Sequence, residues 1–149
     1  MAIRYDVYTR IVPPDQLNGT KYISFGPTRS LGVRGLQKLL GVFTKYLLTP
    51  IGSDPLDPQG GTELTGLLGS NVDASDAREI LNLSVNKCVS DVQAFQLNQG
   101  LESDERLASA SVTQFIKLTD NNGFSAQILI RNAANESTVL LLPTLSAGA

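Results

Sequence analysis

The stretch LLTPIGSDPLDPQGGTEL, residues 47–64, contains three prolines and three glycines. Proline fixes φ and lacks an N–H donor, and glycine tolerates positive φ, so we expect neither helix nor strand here. Apolar side chains are nevertheless spread along the stretch, at Leu48, Ile51, Leu56 and Leu64. A solvated linker does not need them. We therefore predict a long, ordered connection, the central loop of residues 49–62, which these side chains pin to the protein body with Leu56 as the anchor.

The residues before the central loop predict an amphipathic helix. It starts near Leu31 behind a cap at Ser30, runs for about 17 residues, and ends before Pro50 because the residue preceding a proline avoids the helical conformation. Its apolar stripe consists of Val33, Leu36, Leu40, Phe43 and Leu47, widened by Leu39 and Tyr46.

Two further helices are predicted after the loop. Thr62 can cap a short helix over residues 63–68. A long helix then runs from Asp73 or Ser75 to about Gln96, because apolar residues recur at three- and four-residue steps. The predicted buried face consists of Ala77, Leu81, Val85, Cys88, Val92 and Phe95. Free cysteine is among the most buried residue types, so we interpret Cys88 as a core residue and not as a nucleophile.

Beyond residue 106 the apolar period changes to two, which predicts strands. The first strand begins at Ala108, a hairpin turn follows at residues 120–123, the second strand spans residues 124–131, and residues 132–136 form another turn. The third strand covers residues 138–142 and stops at Pro143. The inward-facing residues are predicted to be Ala108, Ala110, Val112, Ile116 and Leu118 in the first strand and Phe124, Ala126, Ile128 and Ile130 in the second.

These elements predict an α+β fold, with two main helices and a short helix packed on one face of a small antiparallel β-meander. We expect one domain over residues 1–149, with an N-terminal arm at 1–30, a helical part at 31–100 and a sheet part at 106–143. The arm contains two short extended pieces, near Ile3–Val7 and at Tyr22–Phe25, and lies across the body or on a neighbour. A partly ordered terminus is the alternative.

The composition of the chain excludes several classes of function. The chain has 149 residues, a formal net charge of −2, one cysteine and no histidine. It therefore lacks the basic surface of nucleic-acid-binding proteins, an internal disulfide and a cluster of thiolate or imidazole metal ligands. No apolar run is long enough to span a membrane, and the first residues lack a signal core, so we expect cytoplasmic synthesis and no membrane partner. No cofactor is expected.

The segment LLTPIGSDPLDPQGGTELTGLLG, residues 47–69, resembles the signature of the lysozyme-like baseplate wedge family. That family occurs in contractile phage tails, with a relative in type VI secretion baseplates. Its pattern is an apolar helix ending in Leu-x-Thr-Pro-x-Gly, a short polar segment, a Pro, a Gly-Thr or Gly-Ser, and a Leu-rich helix. The matching residues are Thr49, Pro50, Gly52, Pro58, Gly61, Thr62 and Leu64. The order of helices and strands extends the resemblance from about Leu31 to Pro143.

The resemblance implies a structural, non-catalytic baseplate wedge subunit of the virion, assembled in the host cytoplasm. Such a subunit links the wedge to the tube and sheath and seeds sheath assembly through strand pairing. The implied partners are other wedge subunits and the tail sheath subunit, with tube or hub proteins as further partners. The candidate partner-binding residues are Pro50, Gly52, Asp54, Asp57 and Pro58 in the loop and Thr138, Val139, Leu140, Leu141 and Leu142 in the last strand. An ordinary core strand is the alternative interpretation of the latter.

The chain departs from the family pattern at two places. Relatives carry a Glu-Pro-Arg element, which holds a bundle of the two larger wedge subunits. The corresponding residues 85–95 lack it, and Asp91 and Gln93 are the nearest polar candidates. Relatives also often carry Glu where this chain has Ser53. The identity of the wedge contacts, and the choice between a phage tail and another contractile injection system, therefore stay open.

Two other functions are compatible with this sequence. The first is a stand-alone cytoplasmic binding or regulatory module, because fold does not dictate function. The second is a cell-wall muramidase, which needs two carboxylates about 5–9.5 Å apart across a sugar cleft. Asp54, Asp57 and Glu63 are the acids of this region, but Asp-Pro pairs are typical of turns and no aromatic cluster lies nearby in sequence. We therefore expect no enzymatic activity.

Overall fold

The structure is a computed structural model that describes residues 34–67, 72–117 and 124–142. Its elements are α1 (Gly35–Leu48), a short 3-10 helix (Leu64–Leu67), α2 (Ala74–Gln96), β1 (Leu107–Lys117), β2 (Phe124–Asn132) and β3 (Ser137–Leu142). The predicted α+β class is confirmed, with helices and a three-stranded antiparallel sheet. The predicted arm at residues 1–30, the cap at Ser30 and the turn at residues 120–123 lie outside the described residues.

Helix α1 begins later than predicted. Arg34 is extended, with φ −127° and ψ 165°, so a start at Leu31 is wrong. Gly35 has φ +61°, a conformation that glycine adopts without a Cβ clash and that interrupts helix propagation towards the N-terminus. The cap comes from a distant residue: Glu105 Oε1 accepts the Gly35 N–H at 3.3 Å, and Oε2 pairs with Lys38 Nζ at 2.6 Å. A carboxylate is favourable at a helix N-terminus, so this contact ties α1 to the connection between α2 and β1.

The buried face of α1 is displaced from the predicted stripe. Leu39, Phe43 and Leu47 are fully buried, while Leu36 and Leu40 are only half-buried. The three buried residues follow a four-residue row, which is the ridge that α1 presents to α2 and the sheet. The helix ends at Leu48, and Thr49 is extended, as predicted from Pro50.

Helix α2 confirms the predicted bounds, with Asp73 at its N-cap and Gln96 as its last residue. The predicted core residues are buried, namely Ala77, Leu81, Val85, Cys88 and Val92. The prediction for Phe95 is wrong, because this residue is 42% exposed. Its ring lies 5.8 Å from that of Tyr46. Gln96 is buried instead. Its Nε2 donates to Glu105 O at 2.9 Å and its Oε1 accepts the Leu107 N–H at 2.8 Å, which satisfies the backbone where the chain enters β1.

The sheet has the order β1-β2-β3, with antiparallel neighbours. The predicted inward face of β2 is confirmed, since Phe124, Ala126, Ile128 and Ile130 are all buried. Helix α2 packs on β1, and α1 packs on β2 and β3. The hydrophobic core is therefore one layer between the helices and one face of the sheet.

Strand β1 does not keep the predicted alternation. The register shifts between Leu107 and Ser109 and again between Val112 and Gln114. Each bulge adds one unpaired residue, so the side chains after it change faces. Ala108 and Ile116 are consequently exposed, contrary to prediction, and Phe115 turns inward to stack on Phe124 with ring centroids 5.8 Å apart. Leu118 lies outside the described residues.

The predicted turn between β2 and β3 is present. Asn135 N–H donates to Asn132 O at 3.1 Å, and Asn135 has φ +65°, which asparagine tolerates better than most residues. Asn132 is fully buried; its Nδ2 donates to Asp104 O at 2.9 Å and to Glu136 Oε2 at 2.8 Å. This side chain therefore fixes the turn to the connection before β1.

Candidate functional site

The two ends of the central loop are clamped together at Thr62. Ile51 N–H donates to Thr62 O at 3.1 Å, and Thr62 N–H donates to Thr49 O at 2.8 Å. The Thr62 hydroxyl donates to Leu47 O at 2.6 Å and accepts the Leu64 N–H at 3.3 Å. Thr62 is therefore the predicted cap of the short helix, and it also satisfies a carbonyl in the last turn of α1. Its second role, as the clamp of the loop, has no sequence signal of its own.

The loop between the clamped ends is a series of turns. Ser53 N–H donates to Pro50 O at 3.1 Å, around Gly52 at φ +79°. Asp54 Oδ1 accepts the Leu56 N–H at 2.9 Å, and Asp57 Oδ1 accepts the Gly60 N–H at 3.1 Å. These bonds confirm the turn interpretation of the Asp-Pro pairs, because aspartate side chains stabilise a turn by bonding backbone N–H groups just ahead in the chain.

The predicted anchor of the loop is wrong. Leu56 is 95% exposed, and every residue from 50 to 59 is exposed. Of the four apolar residues predicted to pin the loop, Leu48 and Ile51 are also exposed and Leu64 is buried. The loop is held by backbone bonds and by Thr62 and Leu64, both buried, and not by the apolar side chain at its tip. Local hydrophobicity marked Leu56 correctly as unusual, but it cannot distinguish an inward side chain from one presented to solvent.

A lysine of α2 fixes the far side of the loop. Lys87 Nζ donates to Gln59 O at 2.7 Å and pairs with Asp91 Oδ2 at 2.6 Å. Burial raises the pKa of the neighbouring Tyr46 hydroxyl, and the carboxylates of Asp57, Asp91 and Asp54 raise it further. The loop itself, residues 49–62, carries Asp54 and Asp57 and no basic residue, so its exposed surface is acidic. Asp91, a polar candidate for a wedge contact, is paired with Lys87 within the chain.

We expect Leu56→Ala to change the free energy of unfolding by no more than about 0.5 kcal/mol, because an exposed side chain loses little contact. Leu64→Ala is the matched control. Leu64 is 2% exposed, so the same truncation is expected to cost about 2–5 kcal/mol. Urea unfolding of both variants measures the difference. Equal losses at the two positions would show that the loop tip is packed in solution.

An open recess of about 470 Å³ lies beside the clamped end of the loop. Its lining is mainly apolar and includes Ile51, Leu67, Val72 and Ile80, with Glu63 as its carboxylate. That volume falls in the range of small-molecule sites, but such sites usually bring several polar groups together. The recess therefore suits an apolar side chain of a protein partner better than a polar ligand.

The second candidate surface is β3, which lies at one end of the sheet. Hydrogen-bonded and non-bonded pairs alternate along an antiparallel hairpin. The turn fixes the alternation here, because Asn132 N–H donates to Glu136 O at 3.0 Å. Along the unbroken register, the bonded residues of β3 are Thr138, Leu140 and Leu142, opposite Ile130, Ile128 and Ala126. The backbone groups of Ser137, Val139 and Leu141 therefore point to the outer edge.

This geometry separates the predicted edge residues into two sets. Leu142 is buried and Thr138 and Leu140 are half-buried, and their backbone groups face β2, so a proline at Leu140 would break the sheet itself. Val139 and Leu141 are 45% and 63% exposed. Among the described residues, no strand pairs with the outer edge of β3.

The opposite edge of the sheet is partly covered by α2 and its flanks. Gln93 Nε2 donates to Ala108 O at 3.2 Å and to Leu107 O at 3.4 Å, and Lys117 Nζ donates to Val72 O. Gln93 therefore serves the sheet and is not free for the wedge contact considered above. Of the two edges, β3 is the one without such cover in the described part of the chain.

Within residues 34–67, 72–117 and 124–142, no group of three or more histidine, cysteine, aspartate or glutamate residues could hold a metal ion. None of the helices in these same ranges has the length and apolarity required to cross a bilayer. In comparisons with known proteins, no family model matches the chain and no curated protein matches it.

Proposed function

We propose that the chain is a structural baseplate wedge subunit of a contractile phage tail, and that its β3 edge receives an extended segment of the tail sheath subunit. The observation that carries the proposal is the outward direction of the Val139 and Leu141 backbone groups, on an edge with which no described strand pairs. The resemblance of residues 47–69 to the baseplate wedge signature is the reason for naming the baseplate as the assembly and the tail sheath subunit as the partner.

Strand addition at this edge supplies both affinity and register. Ser137, Val139 and Leu141 each offer one N–H and one C=O, and each bond made is worth about 0.5–1.5 kcal/mol net. The side chains of Val139 and Leu141 lie on the outer face beside Leu129, which is opposite Val139 in the register. Apolar residues at alternate positions of the partner strand would extend this patch, and a slip by one residue would place them on the wrong face.

The central loop suits a second contact, with another wedge subunit. It is clamped at Thr62, so a partner does not have to order it, and rigid surfaces lose less entropy on binding. It presents Pro50, Gly52, Asp54, Asp57 and Pro58, all exposed, with Leu56 at the tip. An exposed leucine at the centre of a polar loop has the form of an interface anchor.

The test of the edge is Leu141→Pro, which removes an outward N–H without breaking a bond to β2. We expect the variant to fold, to enter the baseplate, and to yield tails with a tube but no extended sheath. Leu141→Ala is the matched control, since it keeps the N–H and removes most of the side chain. Electron microscopy of the particles measures the outcome. Full sheaths on folded Leu141→Pro particles would rule out this edge as the docking site.

A further inference from the structure

Strand β3 lacks the features that keep two identical sheet edges apart. The backbone groups of Ser137, Val139 and Leu141 point away from β2, and no described strand pairs with them. Charged side chains, proline and bulges are the usual devices that stop one edge from pairing with another. Residues 137–142 include no charged residue and no proline, and their register with β2 has no bulge. Nothing within β3 itself therefore opposes pairing with a second copy.

The spacing of the outward groups selects a register for such pairing. Two antiparallel β3 strands exchange backbone bonds only where outward residues lie opposite outward residues. With Val139 opposite the same residue of the second copy, Ser137 of each copy lies opposite Leu141 of the other. These three pairs exchange about six backbone bonds. A centre at Leu140 places Ser137 opposite Pro143, which has no N–H, and a centre one residue before Val139 leaves Leu141 opposite the turn.

The side chains on the outer face fit the same register. Leu129 lies opposite Val139 in the described sheet, so the central row across two copies consists of four apolar side chains. Val139 and Leu141 are 45% and 63% exposed, so pairing removes apolar surface from water. Arg131 is the charged residue of β2 and lies opposite Ser137. A two-fold axis at Val139 places the two copies of Arg131 in different rows, so no like charges meet.

We propose that two copies of the free chain pair through their β3 edges, about a two-fold axis at Val139, and join their three-stranded sheets into one continuous sheet. The interface is one strand wide, and small interfaces are weak, so we expect a Kd in the micromolar range. The same outward groups serve the sheath segment, and dimer formation therefore competes with docking. This consequence rests on the function proposed above, whereas the pairing of two copies does not.

Sedimentation equilibrium of the purified full-length protein tests the association. Between about 1 and 500 µM, a range that spans weak interfaces, we expect a shift from monomer to dimer. Leu141→Pro removes one outward N–H from each copy and should raise the Kd about tenfold or more. Leu141→Ala is the matched control, because it keeps the N–H, and it should raise the Kd less than Leu141→Pro. Circular dichroism confirms that each variant is folded.

Cysteine cross-linking tests the register independently of proline. Val139→Cys places two thiols opposite each other in a bonded pair, with Cα atoms about 5.5 Å apart, a separation that a disulfide spans. Mild oxidation should therefore produce a covalent dimer. Gln127→Cys is the control, since it lies on the same face but on the inner strand β2, and it should stay monomeric. The native Cys88 is buried and does not contribute.

A protein that stays monomeric at about 500 µM would overturn the inference, as would a Leu141→Pro variant that dimerises as strongly as the unmodified chain. Equal cross-linking at the two cysteine positions would overturn the register. The outcomes are distinct from those of the docking proposal. A monomeric free chain leaves docking of the sheath untouched, and full sheaths on Leu141→Pro particles would refute docking while the dimer stands.

Discussion

Gly61→Val is expected to lower the free energy of unfolding by about 3–5 kcal/mol and to release the central loop from the protein body. A Cβ at this position would lie 2.4 Å from Thr49 O and 3.1 Å from the carbonyl carbon and oxygen of Pro50. These are backbone atoms of the clamp, so they cannot rotate away. The φ of +93° adds strain, since β-branched residues strongly avoid positive φ.

Gly41→Ala is the matched control for this prediction. Gly41 lies within α1, and a Cβ there would meet nothing within 4 Å. Alanine is expected to gain about 0.5–1 kcal/mol at such a position because glycine costs more conformational entropy in a helix. Urea unfolding gives both values. A loss of less than about 1 kcal/mol for Gly61→Val would contradict the close approach of residues 49 and 61.

Cys88→Asp is expected to cost about 3–5 kcal/mol, because it places an unpaired carboxylate in the core. Cys88 is fully buried, and its Sγ donates to Phe43 O at 3.4 Å. The adjacent cation, Lys87, is already paired with Asp91. Cys88→Ala is the control; it removes one atom without adding charge and should cost about 1–2 kcal/mol. Thermal unfolding that ranks the two variants equally would contradict the burial of this side chain.

The same site predicts slow thiol chemistry. Burial is the main cause that raises the pKa of the Cys88 thiol to about 12; Asp91 also raises it, and Lys87 lowers it. The reactive thiolate is therefore scarce at neutral and mildly alkaline pH. The thiol pKa is higher in the folded state than in the unfolded state, so the folded state favours the protonated thiol. Below about pH 9 the thiol is protonated in both states, and its titration does not lower the free energy of unfolding. Between about pH 9 and 12 the unfolded state ionises first, and the free energy of unfolding declines.

Periodicity predicted the larger elements from the sequence because one face of each packs on the core. Helix α2 and strand β2 follow this rule from Ala77 to Val92 and from Phe124 to Ile130. The rule failed where tertiary structure changes the local repeat. The bulge near Val112 reverses the faces of β1, and Gln96 is buried because the backbone of Glu105 and Leu107 needs its amide. Neither the bulge nor the burial of Gln96 changes the apolar periodicity of the sequence, so neither could be predicted from it.

The candidate surfaces were also predicted in part: their location was predicted from the sequence, and the direction of their side chains was not. Composition identified the central loop and β3, since proline, glycine and uncharged apolar runs can be read directly. The direction of each side chain and N–H could not be read. Leu56 is presented to solvent and not buried, and the outward backbone groups belong to Val139 and Leu141 and not to Leu140. The second result depends on the Asn132–Glu136 bond that closes the turn.

A structure of the assembled tail baseplate at side-chain resolution tests the proposed function most directly. The expected result is a strand of the sheath subunit about 4.7–4.9 Å from β3, with backbone bonds to Val139 and Leu141. A baseplate in which the outer edge of β3 contacts no strand of the sheath subunit would contradict strand addition by the sheath.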